Sequence, residues 1–202
     1  MFWLIENSKQ FEVLKNSGFK EAFVEIIPNN PYQHPIENSI CAFYVRPIQG
    51  HKGYILPISH TECGTLFEDD VYLWLKGLET IYVRDKKEFL HYTIFKQLID
   101  VTLHLPPYIL PKTTAHTILY SRFPDLLTIN QIVPITKHYE VCEQVYDDLE
   151  HRINTALNPF YNDRATLVFN AIERNGIKID RNEFEKHFYE IEDEFIYTQY
   201  NF

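Results

Sequence analysis

The stretch "KEAFVEIIPNN", residues 20–30, decides how the fold is interpreted. Its apolar run contains β-branched and aromatic side chains and ends at Pro28, Asn29 and Asn30, which predicts a buried strand that runs into a turn. The run holds one carboxylate, Glu25, which is followed by two isoleucines. Whether this strand carries a polar site therefore depends on the elements that surround it in the sequence.

The composition is that of a folded chain. Its 202 residues suit one domain, or one domain with an appendage, and 45% hydrophobic residues can form a large core. Cys41, Cys63 and Cys142 are widely spaced and include no CxxC pair, so neither a zinc cluster nor a disulfide framework is predicted. This cysteine pattern fits a reducing compartment, so we expect an intracellular protein, in the host cytoplasm if the source is viral. The longest apolar runs fall well short of a membrane span, so we expect no membrane association.

The net charge of −9 narrows the possible partners. It argues against a dedicated nucleic-acid clamp, because phosphate binding depends on clustered Lys and Arg. It leaves open an enzyme that holds DNA locally, or a domain attached to a basic partner. The sequence contains no Gly-rich phosphate loop, GxSxG or HExxH pattern.

The predicted elements alternate between strands and helices. A strand at 21–27 is followed by a hairpin of strands 39–45 and 53–59. Thr65 and Glu68 form a capping box that opens the next helix. A strand at 80–85 and helices over 86–99 and 138–157 come after it. This order predicts an α/β fold with a mixed sheet flanked by helices.

The last 40 residues differ from the rest. A predicted helix runs from Asn162 or Asp163 to a stop at Gly176, with Leu167 and Val168 facing inward, and it is followed by a short strand and another helix. We therefore divide the chain into a domain over residues 1–157 and a helical extension over residues 158–202.

This C-terminal part carries a resemblance. "LVFNAIERNGIKIDRNEFEKHF" and the final "FIYTQYNF" resemble the segment of family A DNA polymerases that joins the exonuclease domain to the polymerase domain. Residues 1–157 follow the element order of that family's 3′–5′ exonuclease domain, which has an RNase H-like fold. The resemblance implies a role in DNA replication, a phage or other viral source, and DNA contacts through an attached or associated polymerase domain. The chain stops at Phe202, so we expect residues 158–202 to lead toward a polymerase domain outside it, while any partner protein stays unknown.

The resemblance also implies where catalytic carboxylates would stand. An exonuclease of this type holds two Mg²⁺ or Mn²⁺ ions with four carboxylates. In the Asp-x-Glu strand at most Glu25 survives, and in the Asn-x-Lys-aromatic-Asp motif Leu90 replaces the aspartate. "AHTIL" has His116 in the place of the third aspartate, whereas "YEVCE" keeps the helical Tyr139 and offers Glu143.

With none of the four motifs intact, the resemblance implies a catalytically degenerate domain without proofreading. Glu25, Tyr139 and Glu143 are then vestigial catalytic positions, and Glu25 and Glu143 would bind Mg²⁺ or Mn²⁺ only in an active site; otherwise no cofactor is expected. Two alternatives stay open. One is a working two-metal exonuclease that uses relocated acids drawn from Glu25, Glu143, Asp147 and Asp125, and the other is a non-enzymatic protein-interaction domain.

Overall fold

The computed structural model describes residues 3–31, 33–93, 95, 97–102, 130–153 and 162–176. The chain forms two compact units, Met1–Asn170 and Ala171–Phe202. The whole sheet lies in the first unit, and the described part of the second is the end of one helix together with Gly176. The domain boundary predicted between residues 157 and 158 lies outside the described residues.

A six-stranded mixed sheet forms the centre of the first unit. Its strands are β1 Trp3–Leu4, β2 Glu21–Pro28, β3 Ile40–Pro47, β4 Tyr54–Pro57, β5 Thr80–Val83 and β6 Leu98–Asp100, in the order β1-β4-β3-β2-β5-β6. Strands β2, β3 and β4 are antiparallel neighbours, β5 pairs parallel with β2, β6 pairs parallel with β5, and β1 pairs parallel with β4. The prediction of an α/β fold with a mixed sheet flanked by helices is confirmed.

Four helices of the described chain flank this sheet: α1 Ser8–Lys15, α2 Glu68–Lys76, α3 Lys86–Tyr92 and α4 Ile135–Ile153. A further helix, α5 Asn162–Asn175, includes the boundary between the two units. Alternate residues of β2 contribute to two separate apolar clusters. Ala22 and Val24 pack in one cluster with residues of α1, α2 and α3, and Phe23 and Ile27 pack in the other with residues of α4. Because both faces are covered, the inner strands are apolar along most of their length.

Helix α2 begins later than predicted. Its first residue is Glu68 and its N-cap position is Phe67, and within the described chain no side chain caps it, so the predicted capping box at Thr65 is wrong. The amide of Leu66 donates to the carbonyl of Pro57 over 2.8 Å. This bond holds Leu66 against β4, so residue 66 does not join the helix. The acidic side chains in the first turn of α2 stabilise the start of the helix by interacting with the helix dipole.

Two other helix predictions are corrected. The helix predicted over 86–99 ends at Tyr92, because residues 98–100 form β6 and pair with β5. In α5 the predicted inward-facing Leu167 and Val168 are exposed, whereas Thr166 and Asn170 are buried. Among the residues described, no helix has the length and apolar character needed to cross a membrane.

Candidate functional site

The carboxyl ends of three parallel strands define one edge of the sheet. Strands β2, β5 and β6 run in the same direction, and open α/β sheets bind ligands at this edge. Glu25 lies on β2, Arg84 directly follows β5, and Asp100 ends β6. The edge therefore combines two acids and a cation from distant parts of the sequence.

Glu25 is paired with Arg84. The carboxyl group is buried, and its Oε1 accepts a hydrogen bond from Nε of Arg84 over 2.9 Å and lies 2.8 Å from Nη2 of the same guanidinium. The same Nη2 lies 3.5 Å from Glu88 Oε2. Burial raises the pKa of Glu25, and the guanidinium of Arg84 opposes this shift. A cation of the chain itself thus lies against the carboxylate that was predicted to bind metal.

The other acids at this edge bond to the backbone. Asp85 caps α3 by accepting from the Glu88 amide over 2.9 Å. Asp100 is buried and accepts from the amides of Lys86 (2.7 Å) and Thr102 (2.8 Å) and from the Thr102 hydroxyl (2.8 Å). Burial raises the pKa of Asp100. Sequence reasoning missed Asp100 because residues 98 and 99 of its strand were assigned to a helix over 86–99. The signal was an acid at the end of a short apolar run.

Glu143 on α4 is the centre of a second polar cluster. Its Oε1 accepts from the Tyr44 hydroxyl over 2.7 Å and from the Gly53 amide over 2.8 Å. Arg46 donates to Oε2 over 2.8 Å and to Oε1 over 3.1 Å. A Cβ at position 53 would lie 2.3 Å from the Tyr44 ring, so only glycine brings this amide to the carboxylate. Glu143 therefore joins α4 to β3 and to the start of β4.

Tyr139 belongs to the same cluster, one helical turn before Glu143. Its ring packs edge-on against Tyr44 with centroids 6.2 Å apart. Burial, together with the nearby Glu143 carboxylate, raises the pKa of Tyr139 to about 12. Among the predicted site residues, the structure thus brings Tyr139 and Glu143 together. In the part of the chain that is described, Glu25 bonds to a different set of partners.

The remaining candidates are distributed elsewhere. Leu90, at the position of a motif aspartate, lies on α3 with its side chain buried in the core and offers no oxygen to a metal. Asp147 lies on the exposed side of α4. His116 and Asp125 lie outside the described residues.

Comparisons with known proteins show little similarity in sequence. No family model matches the chain, and no curated protein matches it. Among solved structures, the crystal structure of the Aedes aegypti Nibbler EXO domain is similar with a TM-score of 0.43 and 10% identity, over 82% of this chain and 95% of that chain. The strand order and directions given above, rather than this likeness, define the fold.

Proposed function

We propose that this chain is a 3′–5′ exonuclease-like domain that has lost its two-metal chemistry and acts structurally in a family A DNA polymerase. One observation carries the loss of chemistry. Each carboxylate predicted to bind metal is paired with an arginine, Glu25 with Arg84 and Glu143 with Arg46, at 2.8 Å in both pairs.

These pairs oppose metal binding for electrostatic reasons. A two-metal nuclease holds its ions about 4 Å apart with carboxylate oxygens that are open to both ions. At Glu25 a divalent ion would have to approach a carboxylate whose charge Arg84 already balances. Removing a guanidinium from a buried ion pair is costly, because it leaves an uncompensated charge or requires a new partner for it. Both carboxylates therefore favour their arginines over Mg²⁺.

The same contacts support a structural role. Arg84 and Glu25 connect the end of β5 to β2, and Glu143 connects α4 to β3. Groups at the predicted catalytic positions thus link elements of the domain to one another. We infer that these positions are retained for folding and not for catalysis.

The polymerase context rests on the sequence resemblance of residues 167–202. We propose that this segment contacts a polymerase domain, which is either attached to the chain or part of a separate protein. DNA would then be contacted through that domain, in replication. The test is whether the reading frame, or a neighbouring one, continues into a Thr-Gly-Arg-Pro polymerase segment. Absence of this segment from both would remove the polymerase context and leave the lost chemistry unaffected.

The loss of chemistry is tested by 3′ trimming of a 5′-labelled single DNA strand in Mg²⁺ or Mn²⁺. We expect the wild-type chain to leave the strand at full length. The matched variants are Glu25→Ala and Glu150→Ala, the latter at an exposed acid on α4.

The proposal would be overturned if the wild type trims the strand, Glu25→Ala does not trim it, and Glu150→Ala still does. This result would establish instead the alternative of a working nuclease with relocated acids. Trimming that persists in Glu25→Ala is repeated with Glu143→Ala and Asp147→Ala. Loss of trimming in either variant would also establish the working nuclease, whereas trimming at the wild-type rate in all three variants belongs to a contaminating nuclease.

A further inference from the structure

A third cluster lies away from both carboxylate clusters and consists of a thiol and two imidazoles. Cys41 is on β3, His60 follows β4, and His138 is on α4. The Cys41 Sγ and one ring nitrogen from each histidine all lie within 4.8 Å of one another. All three side chains are buried, with 0%, 3% and 2% of their surface exposed. Thiolate sulfur and imidazole nitrogen are the ligand types that Zn²⁺ prefers in proteins.

Both imidazoles are oriented by backbone carbonyls. Nε2 of His60 lies 2.8 Å from the Val133 carbonyl oxygen, and Nε2 of His138 lies 2.9 Å from the Asn130 carbonyl oxygen. A carbonyl only accepts, so each Nε2 donates a proton to it, and Nδ1 is the nitrogen that each ring can offer to a metal. Histidines that bind a metal are held in this way, with the second ring nitrogen donating to a carbonyl or carboxylate.

We propose that Cys41, His60 and His138 form a binding site for a Zn²⁺ ion that ties strands β3 and β4 to helix α4. The site uses no residue of the Glu25 or Glu143 clusters, so it does not depend on the proposed function. Its ligands are distant in the sequence and lack CxxC spacing, which is why the cysteine pattern alone predicted no zinc cluster.

The geometry requires only a small contraction. Ligand atoms around a tetrahedral zinc ion lie roughly 3.3–3.8 Å apart. Ligand atoms that already lie within 4.8 Å of one another therefore have to approach by at most about 1.5 Å. Zinc on Nδ1 of His60 would replace the hydrogen bond that this atom accepts from the Glu62 amide, which is long at 3.2 Å.

Zinc binding also changes the protonation of Cys41. Burial raises the pKa of the Cys41 thiol to about 12, whereas burial lowers the pKa of His138 to about 4. His138 therefore offers a neutral ring at neutral pH, and binding replaces the S–H bond of Cys41 by an S–Zn bond and releases one proton to solvent.

The test uses the whole chain, freed of metal with a chelator and then titrated with Zn²⁺ and, separately, Co²⁺. We expect about one zinc ion per chain and a rise in melting temperature of roughly 5 °C or more. Co²⁺ should give the near-ultraviolet charge-transfer band of a cobalt–thiolate bond. Cys41→Ser should lose that band and the rise in melting temperature. Cys142→Ser should keep both, because Cys142 is an equally buried thiol of the same apolar cluster outside the three-residue group.

The wild-type measurements decide the matter even if a variant fails to fold. Zinc far below one ion per chain, with no change in melting temperature, would overturn the proposal. A cobalt–thiolate band of equal intensity in Cys41→Ser and wild type would also overturn it, because the thiolate would then come from another cysteine.

Discussion

In the sequence, Glu25 and Glu143 are both acids at the positions of exonuclease motifs. In the structure, the clusters around them differ in how the negative charge of the carboxylate is balanced. Glu25 is paired with Arg84 where both lie against the sheet, and only 6% of the glutamate side chain is exposed. Glu143 has 22% of its side chain exposed and shares its charge among Arg46, Tyr44 and Gly53. Among the described residues Arg84 is the one hydrogen-bond donor to Glu25, so this carboxylate depends on its partner far more than Glu143, which has several donors. The fold should therefore tolerate loss of Arg46 better than loss of Arg84.

The largest effect is expected from Arg84→Met. The change leaves Glu25 buried without its cation, which should lower the free energy of unfolding by about 3–5 kcal/mol. Urea denaturation followed by circular dichroism measures it. The control is the double variant Glu25→Leu with Arg84→Met, which removes both charges and should recover most of the loss. A double variant as unstable as the single one would show that the pair acts through packing and not through charge.

Arg46→Met should lower the free energy of unfolding by less than Arg84→Met does. Glu143 keeps the Tyr44 hydroxyl and the Gly53 amide as donors, so we expect a loss of about 1.5–3 kcal/mol, in the range of one hydrogen bond to a charged group. The same urea denaturation measures it. A loss equal to that of Arg84→Met would disprove the difference between the clusters.

Tyr44→Phe should lower the free energy of unfolding by about 1 kcal/mol. The change removes one of several hydrogen-bond donors to Glu143 and keeps the ring that packs against Phe23. Tyr54→Phe on β4 serves as the matched control, with an expected change within about 0.5 kcal/mol. Equal effects of the two changes in urea denaturation would mean that the Tyr44 hydroxyl contributes nothing specific.

The smallest effect that we expect is a change in the stability of the folded state with pH. Burial raises the pKa of Glu25 above its ordinary value of 4.5, so the folded state holds this proton more tightly than the unfolded state does. The contribution to stability is present below pH 4.5 and is lost as the pH rises through the raised pKa. The wild type should therefore lose stability relative to Glu25→Gln between acidic and neutral pH, as measured by urea denaturation at each pH. Parallel pH curves for the two proteins would contradict this expectation.

The sequence predicted the inner part of the sheet because β2, β3 and β4 are long apolar runs separated by turn residues. It missed β6, since three residues carry too little pattern and their extended form depends on pairing with β5. It located Glu25 and Glu143 but not their partners. Arg84 lies 59 positions from Glu25, and Arg46 lies 97 positions from Glu143, distances at which spacing carries no information. The Cys41 group was missed for the same reason.

The lengths of the strands have a consequence for self-association. In the part of the chain that is described, the sheet ends on β1 with two residues and on β6 with three, while the eight-residue strands β2 and β3 lie inside it. Long outer strands expose rows of unpaired amides and carbonyls that can recruit another chain and start aggregation. Here the two short outer strands offer few such groups. The strongly apolar strands are thereby protected from pairing with other molecules at high concentration.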